Sequence, residues 1–200
     1  MEGKNKDDEC REIIEAMMIE KISLTQGEKK LNEIIQNKEV TPKTFDEYGR
    51  TLLHNVAIEA KFIGSWDSFI KDWLERFIRR LIKDEGYDPN TRTKDERKTL
   101  LFFLVSGSDV ERGWYIFMKE LIEEHGADPL LTIPVYESGE KNLRQYIDYQ
   151  WSYRVAEMDT SDTRRDVKVK PFLDYLIAYE LRETGQIKPT RWSVQPSLKL

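Results

Sequence analysis

The chain of 200 residues holds one cysteine, Cys10, and two histidines, His54 and His125. A single thiol excludes an intramolecular disulfide. Asp8 and Glu9 beside Cys10 make it a poor nucleophile, because acidic neighbours raise a thiol's pKa. Two histidines argue against a histidine-rich zinc or iron centre, while a weak site built from carboxylates stays open. There is no phosphate-cradling glycine loop, no serine elbow and no Cys-x-x-Cys pair. The expectation is therefore a non-enzyme with no catalytic residue, no metal and no cofactor. No apolar run approaches the ~20 residues that span a bilayer, so no membrane partner is expected. The opening residues Met1–Asp8 carry no apolar stretch of the secretory kind. Glu2 excludes myristoylation, and Leu198-Lys199-Leu200 only half resembles a peroxisomal address. An intracellular, reducing compartment, cytoplasmic or nuclear, is the expected setting. The 32 Lys and Arg against 37 Asp and Glu leave a net charge of −5, which argues against broad nucleic-acid binding.

What is present points to a folded, thin-cored protein. Charged residues make up 34% of the chain and hydrophobic ones 39%, with 5 Trp, 9 Tyr and 8 Phe. Disordered chains are poor in such aromatics. Apolar residues recur at helical spacing almost throughout. Ile13, Ile14, Met17, Met18 and Ile22 form a first stripe, and Leu31, Ile34 and Ile35 a second, which Thr25 and Glu28 open as a capping box. A longer stripe runs through Phe69, Trp73, Phe77 and Leu81 over about 66–84. Further stripes pass through Leu100–Val105, through Trp114–Ile122, after Gly139, and from Pro171 to Tyr179. Strand alternation is nearly absent, with Arg165–Val169 the one short example. The fold class is all-α.

Two helix ends match at their structural positions. Leu81-Ile82-Lys83-Asp84-Glu85-Gly86-Tyr87-Asp88-Pro89 is followed, with its glycine forty residues on (126 − 86), by Leu121-Ile122-Glu123-Glu124-His125-Gly126-Ala127-Asp128-Pro129. Glycine reaches the left-handed turn that closes a helix, and Asp-Pro then bends the chain. The helix starts match as well: Gly49-Arg50-Thr51-Leu52-Leu53-His54 and Arg97-Lys98-Thr99-Leu100-Leu101-Phe102, with threonine as N-cap. This unit resembles the ankyrin repeat, whose helix-opening and exit motifs these segments are similar to over about 45–150. The spacings of 40 and 48 residues (99 − 51) exceed the family's period of about 33. Arg97 also stands where the turn glycine is expected.

The resemblance implies a solenoid of stacked helix-turn-helix repeats with elongated helices. An N-terminal helix pair at 1–40 would cap it or form a divergent repeat, ankyrin-like repeats would follow over 41–186 (about 45–92, 93–133 and 134–186), and a non-helical tail would occupy 187–200. It also implies a protein partner, held by the turn tips and inner helices. Mapped onto this sequence, the tips are Glu47, Tyr48 and Arg50, then Asp95, Glu96 and Lys98, with Ser138 and Lys141 in the third cycle. Asn55 and Glu59 belong to the first inner helix. Apart from the resemblance, Trp151 reads either as core or inter-repeat packing or as an aromatic anchor for a partner, and Trp192 either as a cap on the open end of the stack or as such an anchor. The function so implied is to bind and sequester or redirect another protein, as stand-alone ankyrin proteins of pathogens do to host signalling. A self-assembling helical protein is the alternative, with an enzyme of dispersed carboxylates behind it. Arg76, Arg79, Arg80 and Lys83 read as a solvated helix face. His54 is expected to bond an adjacent turn, and His125 to cap a helix C-terminus.

Overall fold

The computed structural model describes residues 5–60, 68–106, 114–136, 138–157 and 164–186. The chain is mostly helical and divides into two compact units, 1–128 and 129–200. The N-terminal helix pair, drawn apart above as 1–40, belongs to the first unit. No helix among the described residues is long and apolar enough to cross a membrane.

The first unit holds α1 (Lys6–Met18), α2 (Leu24–Gln36), α3 (Leu52–Ala60), α4 (Ser68–Lys83), α5 (Leu100–Ser106) and α6 (Trp114–His125). Local chemistry sets their ends. Asn5 caps α1, its Oδ1 accepting from the Asp7 amide at 3.0 Å. The capping box of α2 is Ser23 with Gln26, not Thr25 with Glu28. Ser23 lies just before the first helical turn, so its hydroxyl reaches the Gln26 amide at 3.2 Å. Glu28 accepts from the Trp73 indole of α4 at 3.1 Å instead. Gly27 marks a close approach, because a Cβ there would stand 2.0 Å from the Met17 sulfur.

The two matched helix exits have the same geometry. Gly86 and Gly126 take φ of 74° and 69°. The Tyr87 amide donates to Leu81 O and the Ala127 amide to Leu121 O, both at 3.0 Å. Each bond spans six residues around a left-handed glycine, one more than the five of a Schellman closure. Asn90 ties the two exits together: its amide nitrogen donates to Gly126 O at 2.8 Å, and its Oδ1 accepts from the Asp128 amide at 2.7 Å. The helices pack as α1 on α2 and α3, α3 on α4 and α5, α5 on α6, and α4 on α6.

In the second unit, β1 (Ile133–Val135) and β2 (Gly139–Lys141) form an antiparallel hairpin, with Ile133 opposite Lys141. Then come α7 (Leu143–Glu157) and α8 (Arg164–Thr184), which pack together. Asn142 caps α7 where Thr51 and Thr99 stand before their helices. Its Oδ1 accepts from the Gln145 amide at 3.0 Å, and its own amide donates to Gln145 Oε1 at 3.2 Å. The threonine N-caps expected of the first two cycles are not made: Thr51 Oγ1 faces His54 Nδ1 at 2.9 Å, and Thr99 Oγ1 has no hydrogen-bond partner, so of the three it is Asn142 whose side chain caps its helix. The third cycle also keeps a bond to the preceding proline, Leu143 N to Pro129 O at 3.1 Å, as Leu100 N bonds Pro89 O at 3.4 Å. The short strand read at Arg165–Val169 is helical, lying at the start of α8, and Pro171 falls inside that helix rather than at its first turn. A buried ion pair, Arg144 Nε to Glu180 Oε2 at 2.6 Å, ties α7 to α8.

Candidate functional site

The first two turn tips are built alike. The Asp46 amide donates to Arg50 O at 2.9 Å, and the Thr93 amide to Lys98 O at 3.0 Å. Each closes through a left-handed residue, Gly49 at φ 67° and Arg97 at φ 54°. Arg97 thus adopts the conformation of the glycine it replaces, in a region that costs an L-residue roughly 1–2 kcal/mol. The tips are joined by one backbone bond, Lys94 N to Gly49 O at 3.0 Å. The approach is so close that a Cβ on Gly49 would stand 2.5 Å from Lys94 Cβ.

Asp46 organises the first tip from beneath. It is buried, and its Oδ1 accepts from the Tyr48 amide at 2.9 Å and the Arg50 amide at 2.8 Å. Its Oδ2 accepts from Asn55 Nδ2 at 3.0 Å. Tyr48 is thereby held outward, 44% exposed. Two guanidiniums lie over its ring, Arg50 at 5.0 Å and Arg11 at 5.4 Å from the centroid. Both are within cation–π range. Glu47 is exposed and pairs with Arg11 at 3.3 Å. On the second tip Asp95 and Glu96 are exposed, and Lys98 is half-buried beside Glu96 at 3.3 Å. Lys98 also lies over the Phe103 ring, 5.7 Å from its centroid.

No family model, curated protein or solved structure matches this chain. The reading of the site therefore rests on geometry. That geometry brings Glu47, Tyr48 and Arg50 together on one tip, and Asp95, Glu96 and Lys98 on the tip bonded to it.

Asn55 does not join them. It was expected on an open inner-helix face and is only 1% exposed, spent on holding Asp46. Glu59 is buried too. The reason is that α3 is enclosed along Leu52–Glu59, packed by α1, α4 and α5. Helix α5 is likewise buried over Leu100–Val105, whose side chains are apolar on every side. Trp192 lies outside the described residues, and of Trp151 only the helical backbone is described. In the third cycle Ser138 and Lys141 sit on the β-hairpin, with Lys141 over the Tyr149 ring at 5.6 Å.

Two residues of these tips were missed in the sequence. Arg11 reaches Tyr48 from α1, a contact across 37 positions (48 − 11) that no local pattern signals. Tyr136, at the hairpin turn, is 86% exposed. An aromatic between Pro134 and Gly139 was the available signal. Of the basic face of α4, Arg76 and Lys83 are exposed, as expected, while Arg79 and Arg80 are tied to neighbouring side chains. Arg79 donates to Glu120 at 2.5 and 2.7 Å, and Arg80 bonds Asn32 of α2 and Glu85. An open groove of about 610 Å³ lies between α1 and α2, floored by Ile13, Ala16, Ile22 and Ile34 and rimmed by lysines and glutamates.

Burial shifts two titratable side chains near these tips. Burial pushes the Cys10 thiol up to about 12, with Asp7 adding to it. Burial lowers His54 to about 4. Its Nδ1 accepts from the Thr51 amide at 3.1 Å, and its Nε2 donates to Thr91 O in the next turn at 2.9 Å.

Proposed function

We propose that this protein is a non-catalytic interaction module of ankyrin-like build, whose helix pairs stack in register and whose turn tips bind and sequester another protein. The observation that carries this reading is the backbone bond between equivalent tips, Lys94 N to Gly49 O. It fixes the spacing of two exposed clusters of complementary chemistry. One offers an aromatic ring with two guanidiniums over it, and the other two exposed carboxylates, Asp95 and the Lys98-paired Glu96. Aromatic and arginine anchors dominate binding hot spots, and charged rims steer association. A partner with an acidic or hydrogen-bonding group for the first tip and a basic group for the second fits this pair.

The test is affinity capture with the intact chain and with a Tyr48→Ala, Asp95→Ala, Glu96→Ala variant. All three side chains are solvent-facing, so the variant is expected to keep its melting temperature. It is expected to lose a stoichiometric partner that the intact chain retains. Capture that is indifferent to the triple substitution refutes the placement of the surface. A concentration-dependent homo-oligomer without any partner, read by analytical ultracentrifugation, refutes the module reading in favour of self-assembly.

A further inference from the structure

The last turn of α6 gathers a second kind of chemistry. Glu120, Glu124 and His125 each bring one ligand atom to within 4.8 Å of the others. Helical spacing explains the grouping, since positions four apart share a face and the fifth flanks it. The His125 imidazole is only 2% exposed, and its Nε2 has no hydrogen-bond partner. Glu120 Oε1 stands 3.6 Å from that nitrogen, beyond the hydrogen-bonding range. The two stand at ion-pairing distance, and the neutral ring presents there a lone pair that a cation can take up. Zinc holds imidazole nitrogen and carboxylate oxygen at about 2.0–2.2 Å, and a tetrahedral angle sets two such ligands about 3.4 Å apart. The observed separation suits two ligands of one ion.

We propose that Glu120, Glu124 and His125 bind one divalent first-row cation of the zinc type. The ligands are His125 Nε2 and one oxygen from each carboxylate, with water in the fourth position. Three further observations favour a cation there. The site lies at the C-terminal, negative end of the α6 dipole. Glu120 is held in place for it, with Arg79 donating to both of its oxygens. Glu124 is exposed and gives the ion a way in. Arg79 occupies part of the lone-pair capacity of Glu120 and leaves the rest. It orients the carboxylate as an outer partner does, while its charge keeps the affinity moderate.

The untagged full chain is titrated with zinc chloride by calorimetry, and with cobalt(II) by visible absorption. One equivalent is expected to bind, with tetrahedral ligand-field bands for cobalt. Glu124→Gln and His125→Gln are each expected to weaken binding about tenfold or more. Glu124 is exposed, so its variant keeps the fold and the test stands even if the His125 variant does not fold. Absence of uptake at submillimolar zinc overturns the proposal, and so does uptake that Glu124→Gln leaves unchanged.

Discussion

His54 shows how much a single side chain can be asked to do. Its Nδ1 is committed as an acceptor from Thr51, and its Nε2 as a donor to Thr91 O. Protonating Nδ1 would set a donor against a donor in a buried site, so the folded state holds the neutral ring. Its folded pKa of about 4 lies below the ordinary 6.5, so the unfolded chain binds the extra proton first as pH falls. The stabilisation is complete above about pH 6.5 and is lost towards pH 4, by up to ~3 kcal/mol. Asp7 works the other way. Burial raises it to about 6, and its protonation favours folding as pH falls through that value. A His54→Gln variant separates the two, because Asp7 is common to both chains. The stability of the native chain relative to that variant is expected to shrink steadily from pH 7 to pH 4 in urea titrations. A difference that stays constant with pH would mean that His54 is not held neutral. The sequence placed His54 against a neighbouring turn correctly. It did not show that Asn55, one residue on, would be turned inward to Asp46.

At the scale of the element, the turns differ in what they demand of one residue. Gly126 needs only its left-handed φ, since nothing lies within 4 Å of a Cβ there. Gly49 needs both the φ and the space, with Lys94 Cβ at 2.5 Å. Arg97 accepts the same φ with a side chain in place. The series is therefore ordered. Gly126→Ala is expected to cost ~1 kcal/mol and Gly49→Ala more than that, while Arg97→Gly gains ~0.5–1 kcal/mol, by denaturant midpoint. The helix exits were legible because glycine, Asp-Pro and the preceding Leu-Ile act within a few residues of one another. The β-hairpin at 133–141 was not. Its strands are three residues each, too short for an alternating pattern. The start of α8 was misread because Val167 and Val169 alternate with charged residues. Packing of α8 on α7 prevails over that local preference.

For the whole molecule, the division at 128/129 sets an expectation about folding. The first unit has its own buried core, from Ile14 and Met17 through Leu74, Ile78 and Leu81 to Phe117 and Leu121. A fragment ending at Asp128 is expected to be helical by circular dichroism and to melt in one cooperative transition. A fragment with no thermal transition would show that the first unit's core is incomplete without residues 129–200. The charge-rich composition also reads differently at this scale. Arg79 with Glu120 and Arg80 with Asn32 bind one helix to another, and Arg144 with Glu180 is buried outright. Part of the 34% charge is therefore internal wiring, beside the many charged side chains that stay exposed.

The sequence by itself determined the helical class, most helix ends and the matched turns. These depend on capping, on proline and on left-handed glycine, which act over three to six residues. Only the tertiary structure decided which faces are open. The enclosure of α3 removed Asn55 and Glu59 from the surface, and the approach of α1 placed Arg11 against Tyr48. The burial of His125 turned a helix-capping residue into a candidate ligand. Burial and pairing depend on what distant segments bring to a side chain. A stripe of residues along one helix carries no record of its neighbours.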